Sequence, residues 1–254
     1  MRAFLRKLVR EFGVESSTPI LWLKHFYPRP SETTYLARML RHEEVTVVLD
    51  VGANTGQFAK GVRLGGYRDR IVSFEPLTSA HGRLLRAARR DRGWSVAPRM
   101  AIGDHDGSIE INIAGNSVSS SILGMLPAHF AADPDSAYVG REKVALRTLD
   151  SAAAEFIRGE DRIFLKVDVQ GAENQVLAGA SKLLPQIVGV QLELSLVPCY
   201  RDQLLFFAMT QRIERLGYSL WAIAPGARDE RSGRQLQCDG IFVRHPETAS
   251  TADP

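Results

Sequence analysis

Cysteine is scarce: the 254-residue chain has two, Cys199 and Cys238. Neither belongs to a CxxC pair or lies near a histidine in the sequence, which excludes a disulfide framework and a zinc site of ordinary spacing. Long apolar runs are also lacking. Stretches such as Ile187 to Leu192 fall far short of the roughly 20 residues a membrane-spanning helix needs, so no transmembrane segment is expected. Charge of one sign is in small excess, with Lys+Arg 32 against Asp+Glu 29. No concentrated basic stripe accompanies it, which argues against a nucleic-acid partner. Internal repeats, a phosphate-loop lysine and a compact metal-binding run such as DxDxDG are missing as well. What is present, 44% hydrophobic and 24% charged residues, suits one soluble catalytic domain in a reducing cytoplasm.

Residues Met1 to Glu15 have no continuous apolar centre and no small-residue cleavage site, and do not read as a secretory signal. Phe4, Leu5, Leu8, Val9 and Phe12 recur at helical spacing among Arg2, Arg6, Lys7 and Arg10, the pattern of a short basic amphipathic helix. Such a helix packs on the domain or on a second subunit of a homodimer, or makes peripheral contact with anionic membrane headgroups. The chain divides into a helical extension (1–44), a catalytic domain (45–245) with an insertion over about 104–150, and a disordered polar tail (246–254).

From Val45 onward, runs rich in β-branched residues alternate with helical patterns. Strands are expected at Val45 to Val51, Arg70 to Glu75, Trp94 to Ile102, Arg162 to Val169, Val188 to Leu194, Tyr218 to Ile223 and Gln237 to Arg244. Helices are expected at Gly56 to Leu64, Thr78 to Arg92, Gly171 to Leu184 and Asp202 to Leu216. This rhythm predicts an α/β fold with a seven-stranded, mainly parallel sheet covered by helices on both faces. Gly103 to Ala153 breaks it: Ile109, Ile111 and Ile113 alternate as in a strand, and Asn116 to Ser121 is small and polar. A hairpin or extra strand followed by a long loop, Asn116 to Arg141, reads as an inserted lid.

The stretch Val47 to Gly56, VVLDVGANTG, takes a buried strand through an aspartate and two glycines into a helix. Gly52 and Gly56 allow a sharp turn and a close ligand approach, and binding falls at the carboxyl ends of the strands. The glycine spacing is not the GxGxxG of a nicotinamide dinucleotide site. The next strand ends Phe74-Glu75-Pro76, and a carboxylate there can accept hydrogen bonds from both hydroxyls of a ribose. An adenosyl group has that diol and no pyrophosphate, so the pair of motifs favours S-adenosylmethionine over NAD. An NAD-dependent oxidoreductase is the rival reading.

With Asp50-Val51-Gly52-Ala53-Asn54-Thr55-Gly56, Phe74-Glu75-Pro76 and Phe164-Leu165-Lys166-Val167-Asp168-Val169-Gln170-Gly171-Ala172-Glu173 in view, the chain resembles the FkbM family of S-adenosylmethionine-dependent methyltransferases from about Val45 to Arg244. Members typically show Lys-x-Asp-x-Glu-Gly-x-Glu at the third motif, preceded by a Thr-Leu-Asp segment, here Thr148-Leu149-Asp150. Gln170 stands where the family usually has glutamate. The resemblance implies the Rossmann-like class I methyltransferase fold and O-methylation of sugars or related natural-product hydroxyls, with a glycan, glycolipid or glycosylated natural product as acceptor. A binding protein of the same fold without turnover is the alternative that Gln170 motivates.

Strand alternation sends Lys166, Asp168 and Gln170 to one face. Asp168 is the leading catalytic candidate, as acceptor of the hydroxyl proton or as a cofactor ligand. Glu193 ends an apolar run and needs a partner there; Lys166 could neutralise either acid. His129, in the insertion, is a third candidate base unless it is simply solvated. Ser117, Ser119, Ser120 and Ser121 are candidates for contacting sugar hydroxyls. The candidate cofactor residues are Asp50, Gly52, Ala53, Asn54, Gly56, Glu75, Ala101 and Asp168. No metal is expected, although Asp168, Glu193 and Asp239 together would suit magnesium.

Overall fold

A computed structural model describes residues 31–244 of the chain. The expected N-terminal amphipathic helix and the polar tail lie outside them. The described residues from Glu32 onward belong to one compact unit. Its first element, α1 (Glu32–His42), buries Leu36, Ala37, Met39 and Leu40 and carries Glu32 in its first turn and Arg41 and His42 in its last, charges that complement the helix dipole.

The central sheet is built from β1 (Val47–Val51), β2 (Arg70–Phe74), β3 (Trp94–Val96), β7 (Ile163–Val167), β8 (Ile187–Ser195), β9 (Ser219–Pro225) and β10 (Gln237–Val243), in the order β3-β2-β1-β7-β8-β10-β9. β1 pairs in parallel with β2 and β7, and β10 runs antiparallel to both neighbours. Burial on both faces explains why β1, β2 and β7 read as continuous apolar runs. Val47, Leu49 and Val51 enter one core with Leu165, Val167 and Leu192, while Val48 enters a second with Phe164, Ile71 and Leu40. Asp50 shares the second face with Val48, and register sets it beside Ser73 and Lys166. A polar row thus crosses the middle of an apolar sheet. The helices α2 (Gln57–Leu64), α3 (Thr78–Ala88), α6 (Glu173–Ala178) and α7 (Phe206–Arg215) connect the strands.

The expected strand from Trp94 to Ile102 is two. β3 ends at Val96, and β4 (Ala101–Gly103) belongs to a second sheet, ordered β4-β6-β5. Pro98 lies between them and has no N–H to give a ladder. The other two strands, β5 (Gly107–Ala114) and β6 (Tyr138–Thr148), form an antiparallel hairpin. The long connection lies inside this hairpin rather than after it, contains α4 (Pro127–Ala132), and ends where β6 begins at Tyr138. The helix expected to run to Leu184 stops at Ala178, because at Gly179 the chain passes so close to β4 that a β-carbon would lie 1.9 Å from the Gly103 carbonyl oxygen. The Thr-Leu-Asp segment ties this region together. Thr148 caps α5 (Leu149–Ala152) through Ser151 N–H, and Asp150 accepts from the N–H groups of Lys182 and Leu183 at 3.0 Å each. Both cysteines are buried and free, and among the described residues no helix is long and apolar enough to cross a membrane.

Candidate active site

A cavity of about 590 Å³ opens at the carboxyl ends of β1, β2 and β7, within the usual range for a small-molecule site. Its floor is the β1–α2 loop. Gly52 and Gly56 have φ of +80° and +84°, and Asn54 is also left-handed at 46°, a conformation asparagine tolerates. The turn is as expected, but both glycines are required by the protein itself. A β-carbon on residue 52 would strike the Asp168 carbonyl, and one on residue 56 would lie 2.4 Å from the Trp94 ring.

Each N–H of this loop is spent inside the chain. Gly52 and Ala53 donate to the Phe74 carbonyl, and Gly56 donates to that of Ala53. Asn54 donates to Glu75 Oε2 at 2.8 Å, and Thr55 to Gln57 Oε1 at 3.0 Å. Glu75 is buried, and its second oxygen accepts from Leu77 N–H at 2.9 Å. Burial pushes this carboxyl up to about 7, against the pull of those two N–H bonds. Each oxygen keeps a further lone pair, enough for a ribose diol. Ala101, Met100, Ile102 and Leu77 supply an apolar wall.

Lys166 is buried with its Nζ 3.2 Å from Asp168 Oδ2 and 3.8 Å from Asp50 Oδ1. Burial opposes its charge, but Asp168 and Asp50 outweigh that and hold its proton firmly. Its partners are these two acids; Glu193 is held by amides instead. Ser73 Oγ donates to Asp50 Oδ2 at 3.1 Å and Trp94 Nε1 donates to Ser73 Oγ at 2.9 Å. The Asp168 side chain is 34% exposed and faces the cavity.

Gln170 joins the acids. Its Nε2 donates to Asp168 Oδ1 at 2.7 Å and to Glu193 Oε2 at 2.8 Å. Gln237 adds a second donor to Glu193 Oε2 at 2.7 Å. Desolvation first, then the charge of Asp168, hold the Glu193 carboxyl well above the usual range. Asp239, opposite Glu193 on β10, is raised for the same two reasons. Among the described residues no group of three His, Cys, Asp or Glu side chains is placed to hold a metal ion. Between Asp168 and Glu193 sits the Gln170 amide.

His129 is buried rather than solvated. Its Nε2 lies 3.2 Å from Ser119 Oγ and its ring 5.2 Å from that of Tyr200. Burial lowers its proton affinity, partly offset by Asp133. Ser117 to Ser121 form a fastened wall: Asn54 Nδ2 donates to the Ser117 carbonyl at 3.3 Å, and Ser121 Oγ to that of Gln170 at 2.6 Å. Sequence reasoning missed Tyr200 and Gln237. Neither lies in a local motif; they reach the site only through strand pairing and chain return.

A sheet of this order with one antiparallel strand, bearing a left-handed glycine turn after its first strand and an acid at the end of its second, is that of a Rossmann-like class I methyltransferase. The chain belongs to the FkbM family: the Methyltransferase FkbM domain matches residues 50–220. Its cofactor is S-adenosyl-L-methionine, and the chemistry of the site fits it: Glu75 would accept from the ribose diol, and the cavity's carboxylates suit a cationic ligand. No curated protein matches by sequence. Among solved structures, the chain is similar to the methyltransferase domain of bacterial CtHen1 (TM-score 0.46, 11% identity, 83% of this chain and 96% of that one). It is similar also to the glycopeptide N-methyltransferase MtfA complexed with S-adenosyl-L-methionine (0.41, 11%, 87% and 90%), and to precorrin-6y C5,15-methyltransferase from Geobacter metallireducens (0.41, 9%, 86% and 91%).

Proposed function

We propose that this methyltransferase transfers its methyl group to a sugar hydroxyl of a glycan, glycolipid or glycosylated natural product. The observation that carries the reading is Asp168: a part-exposed carboxylate, fixed by Lys166 and Gln170, in a cavity walled on its far side by polar groups of the insertion, Ser117, Ser119 and His129. A hydroxyl must lose its proton on methylation, and a carboxylate within about 3 Å can accept it.

S-adenosylmethionine supplies an electrophilic methyl group. Asn54, Glu75 and the apolar wall at Ala101 would hold its nucleoside, and the bond from Lys166 aims Asp168. At the acceptor oxygen, Asp168 would take the hydroxyl proton as the methyl group is transferred. The remaining task is alignment, which a rigid cavity provides. The insertion shields the reacting atoms from water.

The test is incubation with isotope-labelled S-adenosylmethionine and glycan or glycolipid extracts, followed by mass spectrometry. Label on a sugar oxygen is expected. Label on nitrogen, on protein or on nucleic acid overturns the hydroxyl reading, and cofactor binding with no labelled product from any extract favours a binding protein without turnover.

A further inference from the structure

Gln170 is fixed on every side. Its backbone is left-handed, with φ of 58°. Its Oε1 accepts from the Tyr200 hydroxyl at 2.7 Å, so turning the amide over would break that bond. The two Nε2 hydrogens therefore point at two different carboxyls, Asp168 and Glu193, and the amide has no unused donor. A glutamate here has no such hydrogens. Three carboxyls would then meet within hydrogen-bond distance, and like charges so close compel at least one to bind a proton.

We propose that Gln170 is a positioning residue for methyl transfer: one neutral amide, locked by Tyr200, joins Asp168 to Glu193 and leaves Asp168 free to take the acceptor proton without a third carboxyl competing for it. This rests on the reading of Asp168 as proton acceptor. Charged and titratable groups face Asp168 from each side: Asp50 from β1, Lys166 from β7, Glu193 and Tyr200 from β8 and the segment after it, Asp239 from β10, and Glu173 from α6. A loss of turnover on acidification belongs to this cluster as a whole.

The experiment compares Gln170→Glu and Gln170→Met with the parent enzyme in two ways. Turnover is followed against pH with labelled S-adenosylmethionine and the extract the parent labels, and the Glu193 carboxyl is titrated by carbon-13 NMR in the cofactor-free full chain. In Gln170→Glu the acid limb of turnover moves up by about one pH unit or more, as a new like charge requires, and Glu193 titrates higher. In Gln170→Met, Glu193 also titrates higher because a donor is lost, and cofactor affinity is unchanged in both. An acid limb present in the parent and unmoved in Gln170→Glu overturns the proposal, as does an unmoved Glu193 titration in both variants, whatever the acceptor. Near-normal turnover of Asp168→Asn removes instead the proton-acceptor reading on which the proposal stands.

Discussion

A β-carbon on residue 52 would lie 1.8 Å from the carbonyl oxygen of Asp168, so the β1–α2 loop and the segment that leaves β7 touch backbone to backbone. Gly52→Ala must shift one of them and also place a side chain at φ of +80°. The strain and the displacement together should cost at least about 3 kcal/mol, read as a lower urea midpoint. Cofactor affinity and turnover fall together because the same shift moves Asp168. A variant of unchanged stability that lacks only cofactor binding would show that the glycine serves the ligand instead.

With Glu75 as the ribose acceptor, cofactor binding should be pH-dependent. Its carboxyl is raised from 4.5 to about 7, whereas ribose hydroxyls and the two backbone N–H groups all donate to the ionised form. Affinity for S-adenosylmethionine therefore rises from pH 6 to pH 8, approaching about tenfold per unit well below the midpoint. Glu75→Gln should flatten that rise and weaken binding at pH 8 by about 1 to 3 kcal/mol. Calorimetry across this range checks it, and equal slopes in both proteins refute it. The fold alone responds with the opposite sign. Its raised carboxyls at Glu75 and Glu173, both about 7, bind protons that the unfolded chain releases above about 4.5. Their contribution to stability is thus greatest at acid pH and declines as pH rises from 4.5 through 7.

Lys166 is the cation of the buried row, and Asp50 Oδ1 has no hydrogen-bond donor among the described residues. Lys166→Met leaves Asp50 buried beside an uncompensated Asp168. A loss of about 3 to 5 kcal/mol in unfolding free energy is expected. Adding Asp50→Asn should restore part of it, because one of the stranded charges goes. A double variant no more stable than Lys166→Met would mean that packing over the Phe58 ring, not charge, is what the lysine provides.

Sequence showed the fold where period and turn chemistry agreed. VVLDVGANTG specified a strand, a left-handed turn and a helix at once, and alternation placed Lys166 and Asp168 on one face. Local pattern could not show that Pro98 passes the chain from one sheet to another, since Ala101 to Gly103 is as strand-like as Trp94 to Val96. Nor could it show Tyr200, whose hydroxyl meets Gln170 thirty positions away and the Ser119 carbonyl 81 away. Gly52 was legible as a glycine and not for its reason, because the obstruction is a backbone atom brought in by β7. His129 stands in the inserted loop in the sequence; the structure buries it against Ser119 and Tyr200.

Asp168 is the decisive test of the reaction. Asp168→Asn keeps the size and can still face Lys166 and Gln170, but it cannot take a proton. If the carboxylate is the acceptor of the hydroxyl proton, turnover falls by about 10² to 10⁴ while cofactor affinity changes far less. Rate and affinity must be measured on the same preparation, because the Asp168 backbone carbonyl lies directly against Gly52 of the cofactor loop. A proportional loss of both would make Asp168 a cofactor ligand. Retention of near-normal turnover would pass the role to Glu193 or His129, which line the same cavity. Chelation separates the remaining alternative: with the Gln170 amide occupying the space between Asp168 and Glu193, EDTA should leave the rate unchanged. Inhibition reversed by magnesium would instead mean that the amide swings away and the two acids close on a metal.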